Sequence, residues 1–144
     1  MSLGQLQIMD LFVVGLRTDL NVLMLNQLSV MHCAAQTYAG FLSILYMSKR
    51  ADVDVNLVDE RNATPLHFAV VKCECKNVEL LIKLGANLDA QDFQGNTALH
   101  IAVIRATQSP EKFDDYKRII KELLFNGADR TIKSAEESTP YELF

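Results

Sequence analysis

Two stretches of this chain, "ATPLHFAV" at 63–70 and "NTALHIAV" at 96–103, each place a histidine three residues after a threonine among apolar residues. They lie 33 residues apart. A looser copy, "LSVMHCAA", occupies 28–35, so all three histidines of the chain fall in one recurring pattern. A second marker travels with the first: "LGANLDAQD" at 84–92 returns as "NGADRTIKS" at 126–134 and degenerates to "ADVDVNLVD" at 51–59. The phase between the markers is fixed, since Gly85 lies twelve residues before Thr97, Gly127 twelve before Thr139, and Asp52 twelve before Thr64. A period of this size, kept in two markers at once, calls for stacked units that bury their apolar faces against one another.

Each unit reads as two short helices joined by a turn. Thr64 suits the N-cap, Pro65 the first helical position, and Leu66, Phe68, Ala69 and Val70 supply an apolar face. After a turn "KCECKN", a second helix runs through "VELLIKLG", with Gly85 as its C-terminal cap. The following "ANLDAQDFQGN" spaces asparagine, aspartate and glycine for a tight hairpin-like loop. The expected fold class is an all-α solenoid of helix, turn, helix and hairpin units.

Composition narrows the partners. Of 144 residues, 49% are hydrophobic and 22% charged, the balance of a globular protein rather than a disordered one. A formal charge of -4, with its cations scattered, leaves no footprint for nucleic acid or an anionic membrane surface. Apolar runs such as "LFVVGL" are too short to cross a bilayer, and the N-terminus lacks the pattern of a secretion signal. Three cysteines, Cys33, Cys73 and Cys75, cannot all pair, which fits a reducing, intracellular setting on the cytoplasmic side.

With these residues in view, the chain closely resembles the ankyrin repeat family. That family's Thr-Pro-Leu-His-x-Ala and Leu-Leu-x-x-x-Gly-Ala motifs appear as Thr64-Pro65-Leu66-His67-Phe68-Ala69 and as Leu80-Leu81-Ile82-Lys83-Leu84-Gly85-Ala86. The resemblance implies a single array over 1–144: a partial repeat at 1–27 with "QIMDLFVVGL" as its second helix, repeats at 28–62, 63–95 and 96–137, and the start of another at 138–144. Both ends, the apolar "LQIMDLFVVGL" and the truncated "TPYELF", read either as unusual caps or as cuts from a longer protein, and the second reading is preferred. At the third helical position a histidine ring can hydrogen-bond back to its cap. In the family this ring also links to the neighbouring repeat's loop. His67 and His100, behind Thr64 and Thr97, and His32, behind Ser29, are therefore read as structural rather than catalytic or metal-binding.

Departures from the period carry what is particular to this chain. Thr97 to Gly127 spans 30 residues where Thr64 to Gly85 spans 21, an insertion of nine within "RATQSPEKFDDYK". Ser109-Pro110-Glu111 signals a helix start, and Phe113, Tyr116, Ile120, Leu123 and Leu124 recur at helical spacing, so an elongated second helix is expected from Pro110 to Phe125. It reads equally as a projecting contact element or as a tolerated extension. Ser109-Pro110 also has the form of a phosphorylation site, as many Ser-Pro pairs do. Cys73 stands where the family usually has glycine. Cys73 and Cys75 lack the further ligands of a zinc site and read as exposed, oxidisable thiols.

No phosphate-binding loop, nucleophile with a spaced base, or free carboxylate pair stands out, so no catalytic residue, metal or cofactor is assigned. The expected function is a monomeric protein-binding module. The resemblance places Val71 and Ile104 in a concave groove, with Lys72, Arg105, Gln36 and Thr37 beside them. Glu60, Arg61, Phe93 and Gln94 are the loop-tip groups without a local task. An apolar groove suits peptide capture or contact with the next repeat. The expected ligand is an extended or disordered acidic-apolar segment of another protein. The alternative is a regulatory or substrate-recruiting arm of a larger enzyme or channel, such as a membrane-bound protein S-acyltransferase, and a spacer without a partner is a third reading.

Overall fold

Ser29, Thr64 and Thr97 have extended backbone (φ near -90°, ψ near 165°), and each is followed directly by a helix. The computed structural model describes residues 27–50 and 53–143. In chain order its helices are α1 (Val30–Ala35), α2 (Gly40–Met47), α3 (Pro65–Val71), α4 (Cys75–Lys83), α5 (Ala98–Gln108) and α6 (Phe113–Phe125), with a 3-10 turn at Pro110–Lys112 before α6. Among the described residues there is no strand.

Packing follows the repeat. Helices pair as α1 with α2, α3 with α4 and α5 with α6, while α1, α3 and α5 stack in one layer and α2, α4 and α6 in a second. Ala34, Ala69 and Ala102, each five residues after its cap, are fully buried. With no side chain beyond Cβ, they let paired helices approach closely. Around them Met31, Ile44, Met47, Leu66, Leu81, Ile119 and Leu123 form one apolar core that runs through every described helix pair. Burying one such side chain stabilises by about 1.5 to 3 kcal/mol, which the short helices could not supply in isolation.

Glycine closes the second helices. Gly85 and Gly127 have φ of +87° and +94°. The next residue's N–H reaches back to the last turn, Ala86 to Leu81 O and Ala128 to Leu123 O, both at 3.0 Å, as in a Schellman motif. A second left-handed position recurs two residues before each helix cap, at Gln27, Asn62, Gly95 and Glu137 (φ 57° to 72°). The loop thus keeps one geometry even where its residue is not glycine.

The expected second helix, "QIMDLFVVGL", lies outside the described residues, as do Ala51 and Asp52. Elsewhere the structure amends three expectations. The turn between α3 and α4 is shorter than "KCECKN", because Cys75–Asn77 already belong to α4 and Cys73 (φ +60°) makes the reversal alone. The nine-residue insertion is shared between two helices. At 11 residues α5 exceeds the 7 of α3, α6 has 13 against the 9 of α4, and α6 begins at Phe113 rather than Pro110 because Pro110–Lys112 take the 3-10 form. Each helix gains about one turn. The buried face of α6 is Tyr116, Ile119 and Leu123, whereas Phe113 and Leu124 are exposed and Ile120 is half-buried. The spacing i, i+3, i+7 from Tyr116 meets α4 and α5, and Phe113 falls too early in the helix to join it.

Candidate functional site

The hairpin loops are built by aspartate. Asp59 Oδ1 accepts from the N–H groups of Arg61 (2.9 Å) and Ala63 (2.8 Å), and Asp92 Oδ1 accepts from Gln94 and Asn96 (both 2.9 Å). These bonds fix each turn and leave the two residues after the aspartate at the tip. Neighbouring tips are joined through the backbone: Phe93 N–H donates to Arg61 O and Ala135 N–H to Gln94 O, both at 2.9 Å. The tips therefore form a continuous ladder, and Phe93 projects from it with 64% of its surface exposed.

Beneath the ladder lie the histidines. Nδ1 of His32, His67 and His100 accepts from the backbone N–H of Ser29 (3.1 Å), Thr64 (3.0 Å) and Thr97 (3.2 Å). Since Nδ1 accepts, the proton sits on Nε2, which donates to Ala63 O (2.9 Å), Asn96 O (3.1 Å) and Ser138 O (3.1 Å). The acceptor in each case directly precedes the next unit's cap. Burial lowers the pKa of His32 and His67, outweighing the carbonyl and aspartate neighbours that would raise it. The buried, neutral rings have both nitrogens engaged. His32 also meets Phe68 of the next unit edge to face, with ring centroids 5.3 Å apart.

Between the tips and the first helices α1, α3 and α5 runs a concavity of about 700 Å³. Gln36, Val71, Lys72, Ile104 and Arg105 line it from the helices, and Glu60, Arg61, Phe93 and Gln94 from the tips. Thr37 is not brought there: its Oγ1 donates to Ala34 O (3.1 Å) in the turn between α1 and α2. Phe68 and Ile101, four residues after their caps, also line the concavity, as does Gln108 from the extra turn of α5. Phe68, expected on the apolar face of its helix, packs against the core and lines the concavity as well, and Ile101, for which the sequence suggests no role, shares its register four residues after the cap.

Asn77 was not singled out at all. It is buried, and its Nδ2 donates to the carbonyls of Ala35 (3.0 Å) and Thr37 (2.8 Å), at the open C-terminal end of α1. A buried asparagine two residues after Cys75 on an otherwise amphipathic helix was the available signal.

Cys73 and Cys75 are half-buried rather than exposed, because the lengthened α6 covers them. Burial, then the neighbouring Cys75 and Asp115, push the Cys73 thiol up to about 11, and burial likewise raises Cys75. Tyr116, pushed to about 12 chiefly by burial, donates its hydroxyl to Val71 O at 3.2 Å. Among the described residues no three His, Cys, Asp or Glu side chains group to hold a metal ion, and no helix is long and apolar enough to cross a membrane.

Fold and site together define a tandem array of helix pairs with a ladder of loop tips over a concave face. A family model described as ankyrin repeats, in three copies, matches residues 1–92 and 31–134. The chain belongs to the ankyrin repeat family. It is 31% identical over 123 residues to the B-cell lymphoma 3 protein homolog of Mus musculus, a match covering 85% of this chain and 25% of that protein. With NF-kappa-B inhibitor alpha of Gallus gallus it shares 46% identity over 48 residues, 33% of this chain and 15% of the relative. With the probable palmitoyltransferase AKR2 of Saccharomyces uvarum it shares 30% over 102 residues, 69% of this chain and 13% of the relative. The chain thus spans a quarter or less of the length of these curated relatives.

Proposed function

We propose that this chain is a protein-binding module that holds an extended segment of a partner protein between its loop tips and first helices. The supporting observation is the concavity of about 700 Å³, on which apolar and charged side chains from the tips and the first helices converge. Its apolar surface comes from Phe68, Val71, Phe93, Ile101 and Ile104, which are half-buried or exposed. An exposed aromatic at a rigid tip is suited to anchor a partner, since ordering it costs little entropy. Lys72 and Arg105 border the apolar surface, which favours a segment carrying carboxylates beside apolar side chains.

A second reading is that this array serves as the regulatory or recruiting arm of a larger enzyme or channel. Two relatives support it, the palmitoyltransferase AKR2 and a transient receptor potential channel of subfamily A from Caenorhabditis elegans, of which the chain matches 13% and 10%. Both readings use the same groove.

The test is to capture partners from a cell lysate with the wild-type chain and with Phe93→Ala, Arg105→Glu, Asp114→Lys and Lys121→Glu. The first two substitutions remove partners that the last two, on the exposed side of α6, retain. If only the α6 variants lose partners, the groove is the wrong surface.

A further inference from the structure

The placement of charged groups along the groove bears on what it holds. A second concavity of about 300 Å³ adjoins the first, and Phe93 and Ile104 belong to the walls of both. A segment lying along the groove therefore crosses this apolar pair, and the charges on its two sides differ. In the larger concavity the carboxylates of Asp59 and Asp92 keep their charge but are turned toward their own loops, where each Oδ1 accepts from two backbone N–H groups. Glu60 and Arg61 stand side by side on one tip with opposite charges that offset each other. Lys72, at the end of α3, and Arg105, in the last turn of α5, have no carboxylate in ion-pair contact among the described residues. In the smaller concavity Glu136 is the one charged residue of the lining among the described residues, and Lys133 pairs instead with Glu137, at 3.3 Å.

We propose that the groove selects peptide segments of fixed charge polarity, with an acidic group over Lys72 and Arg105, apolar side chains on Phe93 and Ile104, and a basic group over Glu136. The inference rests on the binding reading above and specifies its ligand. Complementary charge on the two sides sets register and orientation and rejects segments of the reverse polarity, because like charges brought together are penalised. The ligand is thus an acidic-apolar-basic segment rather than a uniformly acidic one.

The experiment is to pan a displayed library of random 12-residue peptides on the full 144-residue chain, then to measure a synthetic peptide of the enriched pattern by calorimetry. Enriched peptides should carry Asp or Glu on one side of an apolar pair and Lys or Arg on the other. Reversing both charges in the synthetic peptide should weaken binding at least tenfold. Lys72→Glu with Arg105→Glu should shift the library's choice at the acidic end only, and Glu136→Lys at the basic end only. Peptides that enrich without charge order, or whose order ignores these reversals, overturn the polarity while leaving the groove in place, provided that Ile104→Asp or the more exposed Phe93→Ser abolishes their binding. Enrichment unaffected by both of those variants, once each is shown to be folded by thermal melting, or no enrichment over bare support, overturns the binding reading itself.

Discussion

His67 Nε2 donates to the carbonyl oxygen of Asn96 at 3.1 Å, across 29 residues of sequence, while Nδ1 of the same ring accepts from Thr64 N–H at 3.0 Å. One imidazole thus closes the N-terminus of α3 and fixes the residue before the cap of α5. His32 and His100 make the equivalent bonds to Ala63 and Ser138. The caps of successive units are linked in series, so the loop ladder and the helix layer are held together from within.

His67→Ala leaves the Thr64 N–H unpaired in a buried place, takes from the Asn96 carbonyl one of its two donors, with Asp92 N–H remaining at 3.0 Å, and opens a void where the ring lay. The expected loss is about 3 kcal/mol, from one unsatisfied N–H at about 1 kcal/mol or more, one lost hydrogen bond at about 1 kcal/mol and the lost packing. Denaturant unfolding measures it. Affinity per folded molecule should be unchanged, because the ring is spent inside the scaffold, and a loss of binding without destabilisation would contradict that role.

Stability should fall as the medium is acidified below about pH 6.5, the ordinary histidine pKa. His32 and His67 have lowered pKa values in the folded chain, chiefly through burial, so between the folded and unfolded values the unfolded chain binds more protons. The sign follows: unfolding free energy rises with pH in that window, and the contribution is complete above about 6.5. Protonation would also place a hydrogen on Nδ1 against a backbone N–H. Long-range proton–nitrogen NMR at neutral pH should show the Nε2–H form for both rings, and an Nδ1–H signal would refute the assignment.

The period, the caps and the closing glycines were legible in sequence because each depends on a local residue preference: threonine for the extended cap, glycine for positive φ. The division of the insertion was not. Nine extra residues between Thr97 and Gly127 say only that something lengthens, and whether α5 or α6 takes them depends on tertiary packing, which buries Ala106 of α5 and Tyr116 of α6. The groove residues were legible where the repeat's register places them, as at Val71 and Ile104. Thr37 was misplaced because it sits just past the end of α1, where the chain turns and a one-residue step changes its direction. Asn77 escaped notice since its partners, the carbonyls of Ala35 and Thr37, lie about 40 residues earlier in the chain.

Asn77→Ala should destabilise by about 2 kcal/mol, as the Ala35 carbonyl loses its donor in a buried site and the Thr37 carbonyl keeps only Gly40 N–H. Asn77→Asp should be worse at neutral pH, because a carboxylate would face those carbonyl oxygens with no proton to offer. Its loss should shrink on acidification as the carboxyl is protonated, opposite in sign to the histidine effect. Thermal melts of both variants across pH 5 to 8 measure this, and equal pH profiles would count against the geometry.

Cys73 and Cys75 should react slowly with alkylating reagents near pH 7.5. The reactive species is the thiolate, and burial raises both pKa values, that of Cys73 to about 11. Mass spectrometry should find alkylation at least tenfold slower than in the urea-unfolded chain, and a chelator should leave the melting temperature unchanged. Rapid modification of the folded protein, or a shift with EDTA, would mean that the thiols are ionised or hold a metal.

Whether the insertion is an idle extension can be decided at Tyr116. Its ring is 3% exposed, and its hydroxyl donates to the carbonyl of Val71, a residue that also lines the groove. The added turn of α6 therefore braces the end of α3 from behind, while the added turn of α5 brings Gln108 to the groove wall. Tyr116→Phe removes only the hydrogen bond and should cost about 1 kcal/mol, whereas Tyr116→Ala also opens a cavity and should cost about 3 to 5 kcal/mol. Asp114→Lys, on the exposed face of the same helix, should change stability by less than about 0.5 kcal/mol. If chemical denaturation found Tyr116→Ala as mild as Asp114→Lys, the insertion would be an appendage rather than a brace, and the placement of Val71 would owe nothing to it.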